Sequence, residues 1–480
     1  MTGNTKYRLV ALLLAIALLY WVPSRAAELP RVLLLTGSGE NRQQHGYPDW
    51  QPELFSRDIA RLLEGIAEVE VSEDLSLLNE RTLADYELII NNSLFLTPSQ
   101  EQLDAFFNFI AGGQSYLALD MGLASFLNAP RYRELIGGHL VGGDGPHEYE
   151  VFTFDAWYGY DYNDQQQHPV ARGQPNFRIH DELFVVQPGT DEIEVIARAE
   201  NHPVLWWRPW QEGRAMGMAL GHKRSAIENP GYRRLLRNSV RWLLGYPIVE
   251  QVAEGVFPRG TGEVDDYIDL NRISHLAGDS EGLRYRIAGN SNPQLVQAVV
   301  DEAGRVDLAF ADGGNGSASL NVEVLSPRGL VGKTAFEVSV RPPGSGNLAR
   351  YHGVSAVSSS SEVRKYTADP GFVRDGDEGS RWSSNYEDHN WIYLDLGESY
   401  RIDKVKLLWE GAYGRDYDIQ VSGNEREWST VHRQPDGDGG VDEIELDPVD
   451  ARYVRLLARE RATRWGYSLY EFEVYGDLPN

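Results

Sequence analysis

There is no cysteine among the 480 residues. That absence excludes disulfides, thiolate metal sites, iron–sulfur clusters and every mechanism built on a cysteine nucleophile. Basic residues are also scarce. Lys and Arg number 45 against 71 Asp and Glu, a formal charge of −26, and a chain this acidic is not built to bind a nucleic-acid backbone. After residue 26 no apolar run approaches the roughly 20 residues that a membrane helix needs, and there is no short tandem repeat or low-complexity tract. A lone Gly-x-Gly at Gly37 and Gly39 is too little to argue for a nucleotide site. Apolar residues, in contrast, are plentiful. At 42% hydrophobic and 11% aromatic, the chain is too rich to be disordered, and its length suits two to four domains of about 100–200 residues.

Residues 1–26 have the layout of a secretory signal: Lys6 and Arg8, an apolar run from Leu9 to Val22, Pro23, and small residues at Ser24 and Ala26. Cleavage there would remove three basic residues and no acidic ones, leaving −29 on the mature chain. The expected product is secreted, periplasmic or surface-associated, with no stable membrane span.

Three folding units are expected. From 27 to 247, nearly continuous apolar runs (RVLLLTG, ELIINNS, SYLALD) alternate with amphipathic helices. Strands covered on both faces and joined by helices predict an α/β, doubly wound parallel sheet. One helix is predicted at TPSQEQLDAFFNFIAGG, with Thr97 as N-cap, Pro98 at its first position and Gly112-Gly113 as its stop. From 248 to 341 the helices stop, and strand runs spaced by Gly, Asn, Asp and Pro predict an antiparallel β-sandwich. PPGSGN, within 342–349, reads as a flexible linker, and 350–480 is again all strands, dense in Trp and Tyr.

The last unit carries the most specific wording. RWSS, WIYLDLG, LLWEGAYGRDYDIQVS, RYVRL and WGYSLYEFEVYG together resemble the discoidin, or coagulation-factor type C, family, in the form found as carbohydrate-binding modules on bacterial polysaccharide-degrading enzymes. Asp375, Asp377 and Ser380 place oxygen ligands in a Gly-punctuated loop of the sort calcium takes. The resemblance implies a structural calcium there, completed by Glu471 from the last strand, with Glu473 as the lesser candidate. It also implies glycan binding at loop tips, for which the candidates are Glu410, Tyr413, Arg461, Arg464, Trp465 and Tyr467. Trp382, Trp391 and Trp409 are assigned to the core. The middle unit looks like the cadherin-like or immunoglobulin-like spacers of secreted bacterial proteins. Asp279 and Glu281 are read there as a solvated turn rather than as calcium ligands.

In the first unit, YLALDMGLASF is a strand, a sharp small-residue corner and a helix, the architecture of a nucleophile elbow. RYRELIGGHLVGG, HEYEV, QHPVARGQPNFRIHDELFVV and EGRAMGMALGHKRSAIENPGYRRLLRNSVRWLLG resemble the trehalose-utilisation (ThuA-like) proteins, which share the fold of class I glutamine amidotransferases. Family members tend to carry histidine at the corner and amidotransferases carry cysteine; here it is Asp120, so glutamine hydrolysis through a thiolate is ruled out. Seven of the eleven histidines lie in this unit. Asp120 with His45, His147 and His222 is the candidate catalytic set, a carboxylate beside imidazole acid–base partners. Of these, Asp120, His45 and His222 are also a candidate divalent-metal site. His168, followed by Pro169, shapes a turn. Asp181-Glu182 reads equally as a working carboxylate pair or as a loop tie. Two functions are therefore expected. One is an exported carbohydrate-active enzyme held on a polysaccharide or oligosaccharide by its last module; the other is a non-catalytic secreted glycan-binding or adhesion protein.

Overall fold

The structure, a computed structural model, describes residues 28–39, 52–153, 168–172, 174–189, 192–278, 280–362, 369–378 and 380–479. The expected signal, His45 and Asp279 lie outside them.

The first domain is built on strands β1 (Arg31–Leu35), β2 (Glu68–Ser72), β3 (Leu88–Asn91), β4 (Ser115–Leu119), β5 (Gly138–Val151), β6 (Phe177–Pro188), β7 (Glu194–Ala199), β8 (His202–Trp210) and β9 (Gly213–Met218). Its sheet runs β2-β1-β3-β4-β9-β8-β7. The junctions from β2 to β9 are parallel, and β8 and β7 extend the sheet antiparallel at one edge. Alternation along β1 shows why the runs are apolar throughout. Val32 and Leu34 face one core with Ile59, Leu235 and Leu236; Leu33 and Leu35 face another with Phe106, Ile110 and Leu135. Helices α1 (Pro52–Leu62), α2 (Glu80–Leu83), α3 (Gln100–Ala111), α4 (Pro130–Ile136), α5 (Arg224–Glu228) and α6 (Pro230–Leu243) complete the domain. β5 and β6 form a separate antiparallel ribbon.

The expected start of α3 is corrected by two residues. Ser99 is the N-cap, in a reciprocal capping box with Gln102. That arrangement satisfies two end donors at once, so it outcompetes Thr97 and leaves Pro98 outside the helix.

The middle domain contains β10 (Ile248–Val249), β11 (Gly255–Pro258), β12 (Glu263–Asp269), a helical turn α7 (Leu270–Ile273), β13 (Ser274–His275), β14 (Arg284–Asn290), β15 (Val296–Val300), β16 (Arg305–Phe310), β17 (Gly316–Leu325) and β18 (Val331–Arg341). Sheets β11-β18-β17-β14 and β12-β16-β15 enclose a core that includes Phe257, Leu270, Val306, Leu320 and Val338. The β11–β18 pairing is parallel.

The last domain contains β19 (Ser355–Ser358), β20 (Trp382–Ser383), β21 (Trp391–Trp409), β22 (Gly414–Ser422), β23 (Ser429–Gln434), β24 (Val441–Arg461) and β25 (Ser468–Asp477). They run β20-β25-β21-β24-β22-β23, with β19 against β21. Trp382 and Trp409 are in its core, but Trp391 is not. On β21 it alternates with the buried Ile392 and so faces outward, half-buried, its ring stacked on Tyr393 at 5.6 Å.

The segment read as a flexible linker is packed. A Cβ on Gly344 would stand 2.8 Å from the Leu478 nitrogen. Tyr351 donates to the Pro342 carbonyl at 2.9 Å, and the Asn347 side chain accepts from the Val474 N–H at 3.1 Å. The first seam is also tied: Arg328 meets Glu87 at 3.0 Å, Arg214 donates to the Ala277 carbonyl at 2.7 Å, and Arg172 pairs with Glu250.

Candidate functional site

Strand β4 ends at Leu119, and the chain turns at once into a 3₁₀ turn over Asp120–Ala124. Asp120 takes φ +49°, in the left-handed region that a residue with a Cβ avoids unless its surroundings impose it. Gly122 helps to impose it, since a Cβ there would lie 1.9 Å from the Asn91 carbonyl oxygen. The corner carries Asp120 to the carboxyl end of the central strands, 1% exposed.

His222 follows β9 and meets it. Its Nδ1 donates to Asp120, with both carboxylate oxygens at 3.2 Å, and its Nε2 faces Glu182 Oε2 at 3.6 Å. Phe184 packs edge-on against the imidazole at 5.2 Å. The backbone on either side of His222 is held by Asp181, whose Oδ2 accepts from Gly221 N–H at 2.8 Å and whose Oδ1 accepts from Lys223 N–H at 2.9 Å. Asp181 therefore ties down the loop while its neighbour Glu182 faces the ring. Burial lowers the basicity of His222, but the charge and hydrogen bond of Asp120 and the charge of Glu182 outweigh it, so its pKa is raised. Burial, aided by the charge of Asp120 and opposed by the backbone donors, pushes the Asp181 carboxyl up to about 7.

Replacing Asp181 by Asn would set an NH₂ group against one of those two N–H donors. The expected cost is about 2 kcal/mol, read as a lower denaturant midpoint of the first unfolding transition. An unchanged midpoint would show that the His222 loop is held by other means.

Two hydroxyls beside this group have no hydrogen-bond partner, those of Tyr149 and Tyr232. They are 3% and 0% exposed, and both feel the charges of Asp120 and Asp181. Sequence reasoning passed over them, although both lie in quoted motifs, HEYEV and NPGYRR. His147 is not part of the group. It pairs with Glu200 at 3.2 Å because the ribbon register turns it outward, and its bonds to the Gly145 carbonyl and then to Glu200 raise its pKa. His168 packs against Trp242 at 4.9 Å, and burial holds its pKa down at about 3. Among the described residues no three His, Asp or Glu side chains gather as a metal-binding group.

In the last domain, the Asp375 loop meets β25. Gly376 N–H donates to Glu471 Oε1 at 2.7 Å, while Asp375 accepts from Asp377 N–H at 2.9 Å and from the Ser380 hydroxyl at 2.6 Å. Glu471 is only 4% exposed. Burial and the nearby Asp375 raise it to about 7, and Asp375 is itself raised, chiefly by burial. A buried and a half-buried carboxylate with repelling charges, beside hydroxyl and carbonyl oxygens, form a donor set that fits a hard cation. Glu473 pairs instead with Lys406 at 3.4 Å.

At the loop tips, Glu410 pairs with Arg381 at 3.1 Å. Arg461 donates to Asp388 at 2.9 Å, and the Arg464 guanidinium lies 4.5 Å over the Trp465 ring. Trp465 is 44% exposed and Tyr386 47% exposed, and the two rings meet edge to face at 5.7 Å. Tyr386 also donates to Glu362 at 2.5 Å. Tyr386, Glu362 and Arg381 were not singled out from sequence, although RWSSNYEDH sets two of them beside Trp382. Tyr413 lies partly buried, with its ring against Gly439. Tyr467 is wholly buried in the domain core, just before β25, where its backbone is bonded to Ser384 in both directions, so it packs rather than presents a surface.

Residues 31–243 match the sequence model of the trehalose utilisation (ThuA) family, and residues 355–472 match that of the F5/8 type C domain. Over 109 residues the chain is 33% identical to the polysaccharide lyase 8 family protein HylA of Enterococcus faecalis. That stretch is 21% of this chain and spans only 8% of the relative's length. Among solved structures, chitosan-binding module 2 of a chitosanase/glucanase from Paenibacillus sp. IK-5, in complex with chitotriose, is 41% identical. The match covers 27% of this chain and all of the module, with a TM-score of 0.26. A ThuA-like protein from Parabacteroides merdae is 16% identical over 45% of this chain and 90% of its own, with a TM-score of 0.38. The chain thus carries a ThuA domain followed by an F5/8 type C domain.

Proposed function

We propose that this is an exported carbohydrate-active enzyme whose ThuA domain acts on a sugar or glycoside while the F5/8 type C domain holds it on a glycan. The observation that carries the reading is the buried Asp120–His222–Glu182 arrangement at the carboxyl end of the sheet. A carboxylate that fixes one imidazole nitrogen leaves the ring oriented to carry a proton through the other. Both oxygens of Asp120 are engaged by that ring, so Asp120 orients and charges His222, which is the acid–base group. The middle sandwich is a spacer of cadherin- or immunoglobulin-like type. A structural calcium held by Asp375 and Glu471 shapes the last domain, and residues 1–26 direct export. The test is incubation of the chain with a panel of polysaccharides and glycosides, followed by analysis of released sugars.

A second reading is favoured by one observation: Asp120 and His222 are 1% and 4% exposed, a closed pair suited to a non-catalytic glycan-binding protein. Sugar release lost in His222→Ala separates the two.

The tip of the last domain supports the glycan reading. Sugar rings stack on exposed aromatic faces, and Trp465 and Tyr386 supply such rings, with Glu362 bonded to Tyr386 and the Arg464 guanidinium over Trp465. The strongly anionic chain favours a neutral glycan over an acidic one, with Arg461 and Arg464 at Trp465 as the local exception. Trp465→Ala is expected to weaken retention on such a polysaccharide by tenfold or more, measured by affinity electrophoresis, with the unfolding temperature unchanged. Equal retention would remove Trp465 from the site.

A further inference from the structure

A cavity of about 250 Å³ opens beside the elbow. Met121, the residue after Asp120, is in its wall, with Leu123, Phe95, Phe126 and Leu140. Arg133 and His139 also line it, and Leu127, 50% exposed, stands at its opening. The walls are fixed. Tyr132 donates to the Gly122 carbonyl at 2.6 Å and bonds the Tyr116 hydroxyl, also at 2.6 Å, while Phe126 meets Phe106 edge to face at 5.3 Å.

The backbone around the cavity is strained. Phe95 and Phe126 both take φ +54° and Asp120 takes +49°. For a bulky residue such a value is an outlier that persists only where neighbours impose it, and these gather at ligand sites. Gly39 imposes one of them, since a Cβ there would lie 2.1 Å from the Phe95 carbonyl oxygen. Two strained phenylalanines thus stand in the wall of one concave space. The cavity also connects to the catalytic pair through the ribbon. Leu140 on β5 is paired with Val186, two residues along β6 from Phe184, whose ring lies on His222.

From this geometry we infer that the cavity binds the apolar aglycone of a glycoside, a single aromatic ring or short alkyl group, with its sugar directed to Asp120 and His222. The size fits: an apolar cavity of ~150 Å³ already accepts a benzene ring. The chemistry fits as well, because an apolar lining with a few polar groups is what a small-ligand pocket offers. Arg133 and His139 supply donors for an oxygen on the ring. The aglycone role rests on the proposed sugar chemistry, whereas occupancy by an aromatic ring does not.

The experiment therefore begins with p-nitrophenol alone, titrated calorimetrically into the full chain. One saturable site is expected, with affinity retained in His222→Ala and weakened tenfold or more in Ala124→Phe, which fills the cavity. Leu127→Glu, a change at the exposed rim that the fold tolerates, is the second variant and is expected to weaken binding likewise. No saturable binding, or binding unchanged in a folded variant of either kind, overturns the inference. Glycosides sharing one sugar are then compared, p-nitrophenyl against methyl, over the set of common sugars. Tighter binding of the aromatic member that vanishes in Leu127→Glu supports the aglycone role. If p-nitrophenol binds but no aromatic glycoside binds better than its methyl counterpart, the aglycone role is overturned. Absence of sugar release with pocket binding intact overturns only the catalytic reading.

Discussion

His222→Ala is expected to lower kcat for sugar release by about 10²–10⁴-fold, the usual worth of a positioned acid–base group. Asp120→Asn gives the more diagnostic result. Burial pulls His222 down, and the charge and hydrogen bond of Asp120 help to lift it above its ordinary 6.5. With the charge gone, burial dominates, so the pH at which activity changes with His222 ionisation is expected to move downward through 6.5. A rate profile that keeps its inflection in Asp120→Asn would remove the pair from the chemistry. Stability carries the same signature. Asp181 and His222 both hold protons more tightly when folded than when unfolded. Their contribution is complete below the unfolded values of 3.8 and 6.5. It is lost as pH rises through about 7 for Asp181 and through the raised value for His222. The ThuA domain is therefore expected to be less stable at pH 8 than at pH 5, with the pH slope shallower in Asp181→Asn.

Calcium is expected to give the largest stability effect. Glu471 is held near 7 and Asp375 above its ordinary 3.8. Without metal their contribution is complete below the ordinary values of 4.5 and 3.8, and that of Glu471 is lost as pH rises through about 7. A cation reverses this by stabilising the ionised forms. At about 100 times its Kd it contributes ~2.7 kcal/mol, a shift on the order of 10 °C for a domain of this size. Calorimetry of the full chain should show the last domain's transition rising with calcium at pH 8 and scarcely moving at pH 5, where protons compete. Glu471→Gln is expected to abolish the dependence. A transition indifferent to chelator at pH 8 would refute the calcium site.

The layered plan of the chain was legible because each core imposes its period on the sequence. β1 and β3 are buried on both faces, so they read as unbroken apolar runs, and the sandwich strands alternate. The corner at Asp120 was legible for a related reason, as the small residues that follow it are demanded by the close approach of Gly122 to Asn91. What could not be read was pairing between distant segments. His147 stands in a motif as suggestive as that of His222, yet the ribbon register sets it beside Glu200. The Asp181 bracket joins residues 40 positions apart. Trp391 was misjudged because a Trp in a strand carries no mark of which face it takes until the partner strand is known, and Tyr467 because it is held inward by Ser384, 83 positions away. The antiparallel edge of β7 and β8 was missed because its tryptophans fit either a strand or a loop.

The packed segment at Gly344 to Asn347 has a consequence for how the proposed enzyme would work on a polymer. A floppy tether lets a catalytic unit sweep a wide volume around the point where its module is anchored. Here Gly344 is lodged against Leu478 and Asn347 is bonded to Val474, while His352 lies against Phe257 and Tyr267 at 4.9 and 5.6 Å. The module is then a strut rather than a leash. Anchoring it would fix both the distance and the direction in which the ThuA domain meets its substrate, and work along a chain would require release and rebinding of the module itself.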